Sequence, residues 1–171
     1  INYDSLERGV SHIAIAADGT ALVTTDFAGS GWNTFRDFNA EAATPPFSPV
    51  NGLTTVRQSS YLLTSDTGQH VLVQEANISD GPLHVFSSGS DSITATNDLY
   101  ALGTSGFNSG EGAYNEARGL VVDVTYNNIF VLNAQLNKVA DLTSFQQTGA
   151  VLGAGFDTDG NHLGLWEGHV Q

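Results

Sequence analysis

Hydrophobic and polar residues alternate with a period of two along much of the chain. Ser11 to Ala16 reads Ser-His-Ile-Ala-Ile-Ala, which sets Ile13 and Ile15 on one face of an extended segment. Ala17-Asp18-Gly19 then supplies a turn, and Ala21-Leu22-Val23-Thr24-Thr25 returns. An Asp-Gly pair tolerates the positive φ that tight hairpins need, so the segment predicts a β-hairpin. The pattern recurs. Tyr61 to Thr64 and His70 to Gln74 flank Ser65 to Gln69, and Leu120 to Tyr126 and Ile129 to Leu132 flank Asn127-Asn128. Ala150 to Phe156 and His162 to Trp166 flank Asp157 to Asn161. Shorter strands are expected at Leu83 to Phe86, Ser92 to Ala95 and Leu99 to Leu102. These segments predict an all-β chain of about nine to eleven strands, an antiparallel β-sandwich or jelly-roll-like barrel. Residues 1–171 read as a single β-rich domain.

Helix is scarce in this reading. Val139, Leu142 and Phe145 recur three apart within Lys138 to Gln147, the one short helix expected, and Glu111 to Arg118 has room for a single helical turn. Gly29 to Gly52, with Pro45, Pro46 and Pro49, and Gly103 to Gly112 read as long loops. Four similar hairpins raise the question of propeller blades. Turn centres near residues 18, 67, 127 and 159 are unevenly spaced, and four four-stranded blades would ask for about sixteen strands. No internal repeat is therefore expected.

Composition narrows the setting. Lys+Arg number 5 against Asp+Glu 18, a formal charge of −13, so sequence-independent binding to phosphates is excluded as an expectation. The absence of cysteine removes disulfides and thiolate metal sites. No apolar run approaches the roughly 20 residues of a membrane-spanning helix. Lys138 is the one lysine, so the polar surface is built from Ser, Thr, Asn, Gln and acid. That composition suits a secreted, cell-surface or virion protein better than a cytoplasmic one.

Candidate chemistry is sparse. Asp157, Asp159 and Asn161 place oxygen side chains at alternate positions, as a calcium loop does. An EF-hand would need glycine where His162 stands and glutamate where Gly168 stands, and a polar hairpin loop accounts for the same residues. Calcium is the one cofactor the sequence suggests testing. Asp91, Asp98, Glu111 and Glu116 are further carboxylates in a Gly/Ser/Asn-rich stretch. The five histidines lack His-Glu-x-x-His spacing, and neither Gly-x-Ser-x-Gly nor a phosphate-binding loop is present. No enzyme is expected. Trp32, Phe35 and Phe38 cluster within a polar segment and are the candidate ligand-binding aromatics.

Ile1-Asn2-Tyr3-Asp4-Ser5, Trp32 to Asn39 and Asp123-Val124-Thr125-Tyr126, in that order, resemble segments of the HasA-type haem-carrying proteins. The resemblance covers less than a fifth of the chain and implies haem binding, with His84 as the sole remnant of a ligand set. Ala40 stands where that family has a histidine, and Val85 where its ligand tyrosine follows a Leu-x pair. The leading expectation is a non-enzymatic extracellular module, such as a filament or sheath subunit, an adhesin domain or a virion surface protein. It would associate with itself, another surface protein or a glycan through β-edges and loops. Ile1 to Val10 and Leu163 to Gln171 are the segments expected to exchange. A small-ligand, haem or carbohydrate binder is the alternative.

Overall fold

Two runs, Val71-Leu72-Val73 and Leu120-Val121-Val122, are apolar without interruption, the mark of a strand buried on both faces. The computed structural model describes residues 10–25, 32–35, 47–52, 59–75, 81–102, 111–125, 128–145 and 151–167, and it shows why. Its strands form a row of four antiparallel sheets packed face to face. The first holds β1 (Val10–Ile15), β2 (Ala21–Thr25), β3 (Asn33–Phe35) and β4 (Phe47–Pro49). The second holds β5 (Ser59–Thr64), β6 (His70–Glu75), β7 (Pro82–Ser87) and β8 (Ser92–Asp98). The third holds β9 (Glu111–Asn115), β10 (Leu120–Val124), β11 (Ile129–Asn133) and β12 (Lys138–Asp141), and the last pairs β13 (Val151–Phe156) with β14 (Leu163–Glu167).

Every sheet is a meander in which each strand pairs with its sequence neighbour. The chain is thus all-β and antiparallel as expected, but sandwich or jelly-roll crossovers are not the connectivity of these sheets. The first strands of successive sheets pack on one another, β1 on β5, β5 on β9 and β9 on β13, so the sheets fan outward from that line like blades.

Period-two alternation sorts side chains between the seams. At the first seam Ala14, Leu22, Trp32 and Val50 meet Val71, Val73 and Phe86. Leu72, between two valines, turns the other way and joins Leu83 and Val85 against Tyr114, Val121 and Phe130. Val122 and Val124 in turn face Ala154, Phe156, Leu163 and Leu165 of the last sheet. Each fully buried Val, Leu or Phe contributes about 1.5–3 kcal/mol, and the two middle sheets collect that on both faces. An outer link adds to the first seam: Ile93 N–H donates to Asn51 O at 2.9 Å and Asn51 N–H to Asp91 O at 3.0 Å.

The absence of an internal repeat was the wrong expectation, and the register of one turn explains it. In sequence Asn127-Asn128 falls between the second and third strands of its sheet, β10 and β11, whereas the other three turns fall between the first and second. The equivalent turn is Glu116 to Gly119. Glycines with positive φ then stand at 19, 68, 119 and 160, intervals of 49, 51 and 41 residues, in the range of blade repeats. At each, the glycine N–H donates to the carbonyl three residues earlier: Ala16, Ser65, Glu116 and Asp157, at 2.9–3.0 Å.

Other expectations change with the blades. Lys138 to Phe145, the described part of the expected Lys138 to Gln147 helix, is not helical over its length: β12 pairs with β11, and a 3-10 turn follows at Thr143–Phe145, while Gln146 and Gln147 lie outside the described residues. Tertiary pairing overrides the three-residue spacing there. Glu111 to Arg118 is β9 plus a turn, and Leu99–Leu102 is a 3-10 turn whose Leu99 plugs the second seam. The long loop expected from Gly29 to Gly52 contains β3 and β4, with Pro49 at the end of an edge strand, where a missing N–H is tolerated. Among the described residues there is no α-helix, and no helix is long and apolar enough to cross a membrane.

Candidate binding cleft on the turn face

The four glycine turns lie side by side at one end of the row, each touching the next. Ala17 N–H donates to Gly68 O at 2.8 Å. Asp66 N–H donates to Tyr114 O at 3.0 Å, while its carboxylate accepts Glu116 N–H at 3.0 Å and the Asn115 amide at 2.8 Å. Arg118 donates to the side-chain oxygen of Asn161, and a Cβ on Gly160 would fall 2.7 Å from the Asn115 amide nitrogen. Successive turns are therefore locked by hydrogen bonds and by glycines that let neighbours close up.

Between the turns of the last three sheets opens a cleft of about 600 Å³. Leu63, Tyr114, Ala154 and Phe156 supply apolar wall, and Asp66 and Asp157 stand at its rim. Glu116 lies beside it, accepting from Ser65 Oγ and from His70 N–H at 3.1 Å, with His70 Nδ1 at 3.0 Å. Partial burial works against the Glu116 charge, yet the bonds from Ser65, Thr67 and His70 hold its carboxyl below the ordinary value. Burial, with the charges of Glu116 and Asp66 behind it, pushes the Tyr114 hydroxyl up. A bond from His162 holds Asp157 low. The rim is anionic over an apolar floor.

Asp157, Asp159 and Asn161 are all exposed in the last glycine turn, and two of them make bonds there. Asp157 Oδ1 accepts Asn161 N–H at 2.7 Å and His162 N–H at 3.1 Å, and Oδ2 lies 2.6 Å from His162 Nδ1. Asn161 spends its oxygen on Arg118. These bonds close the hairpin, and among the described residues no group of three or more His, Asp or Glu side chains is placed to hold a metal ion.

The ligand-binding set is dispersed. Trp32 is core, 1% exposed, edge-on to the His84 ring with centroids 5.4 Å apart. His84 is 5% exposed, with Nδ1 2.8 Å from Thr96 Oγ1 and Nε2 2.8 Å from Glu75 Oε1. Both ring nitrogens are thus engaged within the second sheet. Phe35 lies in β3, and Phe38 falls outside the described residues. Other polar groups are used likewise: Tyr61 donates to Asp123 Oδ1 at 2.6 Å across the second seam. His12 Nδ1 sits 2.8 Å from Ser59 Oγ, itself 2.7 Å from Thr24 Oγ1, across the first. Sequence reading missed Tyr114, Phe156 and Trp166. Their signal was parity: Phe156 shares a face with Ala154, and Trp166 shares none with Leu163 and Leu165.

Comparison with known proteins agrees with the blades. No protein-family model and no curated protein matches the sequence. Among solved structures, the chain is similar to the WD40 repeats of RRP9, with a TM-score of 0.60 at 12% identity over 89% of this chain and 42% of that one. It is also similar to Kuenenia stuttgartiensis hydrazine synthase, with a TM-score of 0.59 at 16% identity over 95% of this chain and 44% of that one. The chain spans less than half the length of either structure, and identities this low speak for fold alone. The fold is thus all-β, four antiparallel sheets of which none closes on itself, similar in arrangement to the blades of such structures.

Proposed function

We propose that the chain is a non-enzymatic, extracellular binding module that recognises a partner on its turn face. The carrying observation is the cleft, with Leu63, Tyr114 and Phe156 in its wall and Asp66 and Asp157 at its rim. Supporting it, His12, His84 and Tyr61 are spent on bonds within the fold rather than aimed into an opening. The partner such a cleft suits is a cationic segment of another surface protein, with aliphatic Lys or Arg stems on the wall and charged heads at the rim. A chain of net charge −13 attracts such a partner from a distance and repels acidic ones.

The test uses titration calorimetry with a Lys/Arg-rich peptide and a charge-reversed control. Exposed Ala117 lines the cleft, so Ala117→Lys places a cation there without disturbing a buried contact. Binding of the basic peptide should weaken with salt, given a Debye length of about 8–10 Å. It should fall at least about tenfold in Ala117→Lys, a change of 1.4 kcal/mol. Equal binding of both peptides, or indifference to Ala117→Lys, overturns the reading.

A further inference from the structure

Two imidazoles stand among the acids of the turn face, one from each of the outer two sheets that frame the cleft. His70 lies two residues past Gly68, and His162 two past Gly160. They fill one position in like turns: Ser65 N–H donates to His70 O at 2.9 Å, and Asp157 N–H to His162 O at 3.0 Å. The corresponding residues of the other two turns are the buried, apolar Ala21 and Val121. His70 Nδ1 sits 3.0 Å from Glu116 Oε1, and its ring is tilted on that of Tyr114 with centroids 5.8 Å apart. His162 Nδ1 sits 2.6 Å from Asp157 Oδ2. Of the carboxylates Asp66, Glu116 and Asp157 at or beside the rim, the last two thus each carry an imidazole.

An ionised carboxylate only accepts hydrogen bonds, so each neutral ring holds its proton on Nδ1 and takes a second at Nε2. The bond to the carboxylate survives that step. Protonation therefore changes the charge of the rim and leaves its shape alone. We propose that the turn-face cleft is gated by pH, holding a cationic segment while His70 and His162 are neutral and releasing it when both are charged. The proposal rests on the binding reading above and adds its regulation. An imidazole changes charge between about pH 5 and 8. The groups it faces do not share that range: Glu116 and Asp157 are held below the ordinary carboxylate value, and the Tyr114 hydroxyl is pushed up. Asp18, Asp66, Asp159 and Arg118, the last bonded to Asn161, are the other charged groups on the packed turns. Two charged rings cancel two of the three negative charges of Asp66, Glu116 and Asp157, and a cation arriving there loses most of its attraction.

The experiment is titration calorimetry of the full chain at about pH 8 and about pH 5.5, on either side of the imidazole range. The ligand is a Lys/Arg-rich peptide with blocked termini and no His, Asp or Glu, and circular dichroism at both pH values checks the fold. Wild-type affinity should fall about tenfold on acidification, the order expected of two unit charges about 6 Å from a cation in water. In His70→Gln/His162→Gln each amide still donates to its carboxylate but cannot charge. That variant's own ratio between the two pH values should stay within about twofold. Near the middle of the range, binding to wild type should also release protons, because cation and proton oppose each other reciprocally. The heat of binding then varies with the ionisation enthalpy of the buffer, a readout that needs no variant. Equal wild-type affinity at both pH values, no proton release, or a variant that keeps the full loss would each overturn the gate and leave the binding reading standing. No binding at the higher pH would remove that reading, and the gate with it.

Discussion

Gly19 and Gly68 occupy equivalent turns with nearly equal backbone geometry, φ 84° and 75°, yet alanine should be tolerated at one and not at the other. At Gly19 a Cβ would meet nothing within 4 Å, so Gly19→Ala carries only the left-handed backbone term, about 1–2 kcal/mol. At Gly68 the same term applies, and a Cβ would also stand 2.8 Å from Ala17 Cβ and 3.1 Å from Ala17 N. Relief means drawing the two turns apart. That stretches the 2.8 Å bond from Ala17 N–H to Gly68 O, at about 1 kcal/mol. Overpacking adds about 1–3 kcal/mol. Gly68→Ala should therefore cost about 3–6 kcal/mol in urea unfolding. At about 2–4 °C per kcal/mol, its melting temperature should fall by roughly 10 °C against roughly 4 °C for Gly19→Ala. Adding Ala17→Gly to Gly68→Ala should recover about 1 kcal/mol or more as a coupling energy. Equal losses at the two glycines, or additivity with Ala17→Gly, would refute the interlocking of turns.

Two further outcomes test the polar framework. Hydrogen bonds hold the Glu116 carboxyl below its ordinary value, so the stability it confers is present above pH 4.5 and is lost as pH falls through the lower, folded value. Thermal melts from pH 6 to 3 should show a shallower acid decline for Glu116→Gln than for wild type, and parallel curves would contradict the assignment. His84 is a structural link, so His84→Ala should destabilise by about 3 kcal/mol by stripping Glu75 and Thr96 of the imidazole. Haem added to wild type should leave the visible spectrum a simple sum, and a band that vanishes in His84→Ala would favour the haem reading instead.

Hairpins were legible because their determinants are local. Ile13 and Ile15 alternate, Asp18-Gly19 turns, and β1 and β2 follow; the same holds for β5 with β6 and for β13 with β14. The repeat was legible too, once Gly119 rather than Asn127-Asn128 is aligned with Gly19, Gly68 and Gly160. Short edge strands were not. β4 is Phe-Ser-Pro and β12 is Lys-Val-Ala-Asp, sequences with little propensity of their own that are strands because a neighbour offers a ladder of donors and acceptors. The cleft was half legible: acidic residues in turns were visible in the chain, but their gathering around Tyr114 and Phe156 depends on sheets about fifty residues apart lying side by side.

By itself, then, the sequence determined the antiparallel β class, the hairpins and the acid in the turns, because period-two alternation and glycine turns act over a few residues. Tertiary structure alone decided which face of each strand meets which sheet. It made Trp32 and His84 core partners, and it engaged Asp157 and Asn161 in bonds at the exposed end of their hairpin. Burial is a property of two surfaces, and a chain read one strand at a time shows only one of them.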